Sequence, residues 1–112
     1  MERVWDVRVI GAGVAGLTAA RVVAAAGLSA ACIDRMGPGG VLMNVTEIHD
    51  LTGSSHGRMG ADLIASLLDG AMAAGADMLI GEVTALARDT HWWVRVDGAD
   101  HQARAIVIAT GL

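Results

Sequence analysis

The sequence has no lysine, phenylalanine or tyrosine, only one cysteine and only one proline. A lone Cys32 excludes a disulfide within the chain and excludes a CxxC redox pair. Long apolar runs are also missing. The longest candidate, Val9 to Ala20, is broken by glycines and stops at Arg21, well short of the roughly 20 residues that span a bilayer. A basic leader is absent too, since Glu2 and Asp6 stand where a secretory signal carries positive charge. The expectation is no membrane contact and a reducing cytoplasmic setting. Net charge is −4 and the eight arginines form no run, which gives no footprint for nucleic acid. What remains is 112 residues, 54% hydrophobic and 18% charged. That composition argues against a disordered chain, and the length fits one small domain over residues 1–112. It leaves no room for separate cofactor and substrate domains.

Periodicity orders the chain. Val7 to Ile10 reads as a short buried strand, broken by Gly11-Ala12-Gly13. Val14 to Ala26 then reads as a helix that is apolar almost all round, a pattern of buried helices, with Gly27 placed to close it. Ser29 to Asp34 is a second strand, so the first thirty-four residues make a βαβ unit with parallel strands. Arg35 to Gly60 is a long glycine-rich stretch read mainly as loop. Ala61 to Gly75 returns to helical spacing. Leu63, Ile64, Leu67, Leu68, Ala71 and Met72 form its stripe, and Asp62 suits its N-terminus. Asp77 to Ile80 is a third strand. The period then becomes two through Val83–Ala87 and Trp92–Val96, with turns at Asp89-Thr90 and Asp97-Gly98. A meander ending near Gln102–Arg104 and a separate buried strand at Ala105–Ala109 complete the reading.

Gly11-Ala12-Gly13-Val14-Ala15-Gly16 is a GxGxxG run lying between a strand and a helix of a βαβ unit, as a dinucleotide fingerprint requires. Gly11 permits the tight turn, Gly13 lets a pyrophosphate reach the backbone, and Gly16 allows close helix–strand packing. The phosphates would rest on the helix N-terminus. Asp34 ends the second strand eighteen residues after Gly16, where a carboxylate accepts from a ribose hydroxyl. Asp34 suits NAD and the AMP half of FAD equally. The β-meander discriminates, because a plain NAD-binding half uses a helix as that crossover. Other polar residues carry less. His49 and His56 fit no common ligand spacing, His91 and His101 have no partner pattern, and the serines lack a nucleophile elbow. Cys32 sits mid-strand, where a thiol is usually inert. No residue reads as a general acid, base or nucleophile.

Three segments, in order, resemble the flavin-binding part of thioredoxin reductase-like, FAD-dependent pyridine nucleotide–disulfide oxidoreductases. They are Val9 to Leu17, the stretch from Gly39-Gly40-Val41-Leu42 through Thr46-Glu47 to Gly53, and Ile108-Ala109-Thr110-Gly111. The resemblance implies a Rossmann-like α/β domain, a parallel sheet with a β-meander crossover in three layers. It also implies a role for each matching position. Gly11, Gly13, Val14, Ala15 and Gly16 would hold the FAD pyrophosphate and Asp34 the adenosine ribose; apart from the resemblance, Arg35 directly after Asp34 hints at a phosphate contact. Gly40, Val41 and Leu42 would lie along the flavin and Asp50 would face the cofactor. Val83 would pack near the adenine by its backbone, and Ala109, Thr110 and Gly111 would close the cleft.

The chain departs from that pattern at Val41, where the family usually has Gln, at Asp50, where Asn is common, and at Thr52, which replaces a usual Pro. The family's NAD(P)H-binding domain and its returning C-terminal strand are not in this sequence. A nicotinamide could then act as reductant only if a second domain or a partner supplies its site. In the family, the returning strand pairs beside Ile106–Ala109. Without it the edge of the 105–109 strand is open, which predicts a homo-oligomer, a complementary chain, or pairing with further sequence beyond the given residues. Two functions follow as expectations. One is the FAD-binding portion of a flavin oxidoreductase; the other is a degenerate nucleotide-binding domain that acts by association.

Overall fold

The computed structural model describes residues 3–39 and 60–111. Gly40, Val41, Leu42 and Asp50 from the expected flavin face lie outside the described residues, as do His49, Thr52 and His56. The elements run β1 (Trp5–Ile10), α1 (Val14–Ala25), β2 (Ala30–Asp34), α2 (Gly60–Ala73), β3 (Asp77–Ile80), β4 (Val83–Arg88), β5 (Trp92–Val96) and β6 (Ala99–Ile108). One sheet holds all six strands in the order β3-β2-β1-β6-β5-β4. β1 pairs in parallel with β2 and with β6, and β2 pairs in parallel with β3. The β4–β5 and β5–β6 pairs are antiparallel. The crossover from β3 to β6 is therefore the expected meander.

Local chemistry explains where α1 ends. Ala26 caps it, Gly27 takes φ +86°, and the Gly27 and Leu28 N–H groups donate to the Ala24 and Val23 carbonyls. That is a Schellman closure, which a Cβ at Gly27 would strain. Gly16, Leu17, Ala20 and Ala24 face inward, while Val14 and Val22 are 36% and 63% exposed. An all-round apolar helix was expected to be buried. α1 instead lies in an outer layer, with the sheet on one side and α2 beside it. In α2, Ile64 and Ala71 are buried and Leu63, Leu67 and Leu68 half-buried, but Met72 of the expected stripe is exposed.

Two apolar clusters divide at the sheet. On one face Val7, Val9, Ala30 and Cys32 pack against Leu17 and Ala20 of α1 and Ile64 of α2. On the other, Ile10 and Ile33 meet Val94 and Val96, with Leu79, Val83 and Ile106 alongside. The meander thus folds back over the second face, which gives three layers. Its last turn is tight, with Asp97 at φ 49° and Gly98 at φ 83°, the two positive φ values that match a hairpin to strand twist. β1 also buries a charged residue. Arg8 is buried at 3% exposure, its Nε donates to the Gln102 carbonyl at 3.1 Å, and its guanidinium lies over the Trp5 ring.

The separate strands expected near Gln102–Arg104 and at Ala105–Ala109 are one ten-residue strand. β6 pairs with β5 from Ala99 to Ala103 and with β1 from Ala103 to Ile108. It changes neighbours without a break, because consecutive residues keep extended geometry while different edges find partners. Beyond Ala103 no described strand pairs with the edge opposite β1, and Ile108 there is 67% exposed.

A side-chain knot fastens the start of the parallel unit. The Asp6 N–H donates to Ser29 Oγ at 2.8 Å, and the Ser29 N–H donates to Asp6 Oδ2 at 2.9 Å. The Ser29 hydroxyl also donates to Oδ2 at 3.1 Å. The Ser29 N–H bond, with Arg104 at 3.8 Å, holds the Asp6 carboxyl below its ordinary range. A lowered folded pKa stabilises the fold above the unfolded value, roughly pH 4, and that stabilisation is lost as pH falls through the folded value. Asp6→Asn is therefore expected to lower the melting temperature at pH 7, with the gap to wild type closing below about pH 4. Ser29→Ala is expected to cost about 1 kcal/mol in denaturant unfolding at neutral pH.

Candidate nucleotide-binding site

The parallel strands β1, β2, β3 and β6 all end at one edge of the sheet, and every described site residue from the sequence lies there. β1 runs into Gly11–Gly13, β2 ends at Asp34, and β6 runs into Ala109–Gly111. β1 continues through α1 to β2 on one side, while its other neighbour is β6. A crevice outside the carboxyl ends of parallel strands, where connections leave in opposite directions, is the general ligand position in such sheets.

The three fingerprint glycines differ in what they need. Gly11 has φ +111°, and a Cβ there would run into the Ala109 carbonyl. A Cβ on Gly16 would sit on the Gly11 carbonyl oxygen. Both are glycine for the sake of the protein's own packing. Gly13 is different. It is the N-cap of α1 with φ −82°, a value any residue adopts, and no described atom comes within 4 Å of an added Cβ. Neither backbone strain nor a described neighbour asks for glycine there.

α1 begins at Val14 with no side-chain cap and no acidic residue in its first turn. Its leading N–H groups have no intrahelical acceptors, and the helix dipole adds positive potential at the same point. The Leu17 N–H is the first to bond back, to the Gly13 carbonyl at 3.0 Å. Val14 and Ala15 are exposed, beside half-buried Gly13. Among the described residues, no group would have to be displaced for this terminus to take an anion.

Asp34 stands across the turn. Its Oδ2 accepts from the Ala12 N–H at 3.0 Å and its Oδ1 from the Met36 N–H at 2.9 Å. Each oxygen keeps acceptor capacity for a hydroxyl. Arg35 is exposed. Val83 opens β4 next to this edge, tied through the Gly81 N–H bond to the Asp34 carbonyl at 3.0 Å, while its side chain packs under the sheet. The Ala109 N–H donates to the Ile10 carbonyl at 2.8 Å, which carries β1–β6 pairing up to the crevice. Thr110 and Gly111 are exposed beyond it.

Sequence reasoning missed Ala12, Met36 and Gly39. The Gly39 N–H donates to the Ala12 carbonyl at 2.8 Å, so fully buried Ala12 is held at both ends. Nothing in an alanine's identity signals this, although Gly37 and Gly39, at φ +85° and +122°, mark a loop that doubles back. Cys32 has a structural contact, with Sγ donating to the Gly11 carbonyl at 3.0 Å. Burial, helped by the nearby Asp34 charge, pushes its thiol up to about 12, so it stays protonated and unreactive near neutral pH.

These environments predict unequal costs. Gly16→Ala and Gly11→Ala each force a Cβ onto backbone and should cost more than about 3 kcal/mol in urea unfolding. Gly13→Ala gains about 0.4–1 kcal/mol from a stiffer unfolded chain and loses a similar amount at the N-cap. Its unfolding midpoint should match wild type.

The fold and sequence have known counterparts. The thioredoxin reductase of Listeria monocytogenes is 36% identical over 111 residues, covering 98% of this chain and 34% of that protein. That of Bacillus subtilis is 32% identical, over 98% of this chain and 35% of its own. The chain thus spans about a third of the length of these curated relatives. Among solved structures, thioredoxin reductase from Streptococcus pyogenes superposes with a TM-score of 0.92 at 28% identity, over 99% of this chain and 36% of that one. The Lactococcus lactis enzyme gives 0.89 at 29% identity, over 96% and 35%. Residues 5–112 match the family model described as pyridine nucleotide-disulphide oxidoreductase. With the glycine turn, the strand ends and the meander crossover in the same arrangement, the chain belongs to the pyridine nucleotide-disulphide oxidoreductase family and is thioredoxin reductase-like.

Proposed function

We propose that this chain is the FAD-binding portion of a thioredoxin reductase-like flavin oxidoreductase working in a reducing, cytoplasmic setting. The observation that carries the reading is Gly13. A glycine that its own φ and its described neighbours do not require is explained by an incoming group that needs the space. A pyrophosphate fits, because the open N–H groups of α1 and the helix dipole lie next to that space. Asp34 would accept from the ribose hydroxyls, Val83 would lie by its backbone near the adenine, and Ala109 to Gly111 would border the cleft. Gly40, Val41, Leu42 and Asp50 would line the flavin. An isoalloxazine held there would supply the redox chemistry between a nicotinamide and an electron acceptor. This chain's residues bind and orient; none is assigned a proton-transfer or nucleophilic role.

The test is direct. The full chain mixed with FAD should show a shifted, quenched flavin spectrum and bind saturably by calorimetry. Gly13→Val should weaken FAD binding by about tenfold or more while melting like wild type. A folded Gly13→Val protein with wild-type affinity would mean the opening at Gly13 has no part in binding.

One feature favours a second reading, in which the chain acts by association. The edge of β6 beyond Ala103, opposite β1, has no described strand beside it, and it is mostly apolar through Ala105, Ile106, Val107 and Ile108. Central strands of parallel sheets are seldom left open, since bare N–H and C=O groups template pairing. We propose that this edge takes another strand, from a second copy, a complementary chain or further sequence of the same protein. Sedimentation should show self-association that Ile108→Lys reduces. A concentration-independent monomer without FAD affinity would exclude both readings.

A further inference from the structure

We infer that Asp34 is a positioning residue for the phosphate turn, holding it in binding geometry before any nucleotide arrives. This rests on the dinucleotide reading but goes beyond the ribose role which that reading gives Asp34. Both carboxylate oxygens already serve the main chain, Oδ2 accepting from the Ala12 N–H at 3.0 Å and Oδ1 from the Met36 N–H at 2.9 Å. Ala12 has no exposed surface, so its N–H has no access to water and depends on a protein acceptor. The carboxylate lies twenty-two residues away in sequence and on another strand.

The loop after β2 forms the opposing jaw. Gly37 and Gly39 take φ +85° and +122°, which turns the chain back until the Gly39 N–H reaches the Ala12 carbonyl at 2.8 Å. Below, the Gly11 N–H donates to the Ile33 carbonyl at 2.7 Å. The peptides on both sides of Ala12 are thereby fixed by β2 and its loop. Gly13 and the first N–H groups of α1 follow directly from that point, so their direction is set by the same bracket. Asp34 organises both ends of the site, with phosphate geometry through Ala12 and ribose recognition through its remaining lone pairs. Preorganisation of this kind lowers the ordering cost that binding would otherwise carry.

Amide hydrogen exchange by NMR on the nucleotide-free chain tests the bracket. In the wild type, the Ala12 amide should exchange about a hundredfold or more slowly than an open chain. Exchange at the open-chain rate overturns the proposal without any variant. In Asp34→Asn, one oxygen becomes an NH2 facing an N–H donor. Exchange at Ala12 or Met36 should then rise about tenfold, while the β1 and β2 ladder amides hold. Unchanged exchange at both overturns it. Calorimetry with inorganic pyrophosphate, which has no ribose, separates the two roles. Asp34→Asn should weaken pyrophosphate as well as ADP, by about threefold or more. Weakened ADP with unchanged pyrophosphate overturns the positioning role. A wild type that binds neither ADP nor pyrophosphate refutes the dinucleotide reading and the binding role together, and the exchange data still decide whether the bracket exists.

Discussion

Four elements meet at the backbone of Gly11, and the rest of the structure depends on how closely they approach it. Its carbonyl accepts from Cys32 of β2 and occupies the space a Cβ of Gly16 in α1 would need. Its Cα faces the carbonyl of Ala109 at the end of β6, and its N–H donates to Ile33. Any side chain at Gly11 or Gly16 would push α1 away from β1, or β6 away from the turn. The layer spacing, the register at the top of the sheet and the mouth of the crevice all follow from this contact. Close packing transmits such a displacement, because the interior has few voids to absorb it.

The crevice inherits its chemistry from the same contact. With α1 seated low against β1, its N-terminus opens at the strand ends, where the end of β2 contributes Asp34 and the end of β6 contributes Ala109 to Gly111. The helix end supplies N–H groups without a described acceptor, and the neighbouring strand end supplies a carboxylate. Under the proposed function, anion acceptance and hydroxyl recognition would lie side by side there, with Arg35 exposed at the same edge and other described arginines engaged elsewhere. Arg8 is buried in the sheet, and Arg95 and Arg104 pair with Asp100 and Asp6.

Much of this was legible from the residues. The glycine spacing located the turn, the switch from a period near 3.6 to a period of 2 located the meander, and Gly27 marked the end of α1. Other features were not. The reading of β6 as two strands followed from its composition, yet pairing with β5 and then β1 keeps it continuous through Ala103. The burial of Arg8 in β1 was not foreseen, because the Gln102 carbonyl and the Trp5 ring that give it an environment come from pairing and packing. Met72 matched the α2 stripe by spacing but lies outside the packed face, because spacing gives a direction around the helix and not the extent of what covers it.

By itself the sequence determined most of the elements, their order, and which glycines matter, since backbone freedom and side-chain periodicity are local properties; only pairing made β6 one strand. The structure alone decided why each glycine matters. Gly11 and Gly16 answer to the protein's own carbonyls, while no described atom comes within 4 Å of a Cβ at Gly13, a distinction no spacing rule contains. It also decided that Ala12, the least informative residue type in the motif, is held by a carboxylate twenty-two positions away. Hydrogen-bond partners of buried main chain are chosen by the approach of distant strands, and that approach exists only once the chain has folded.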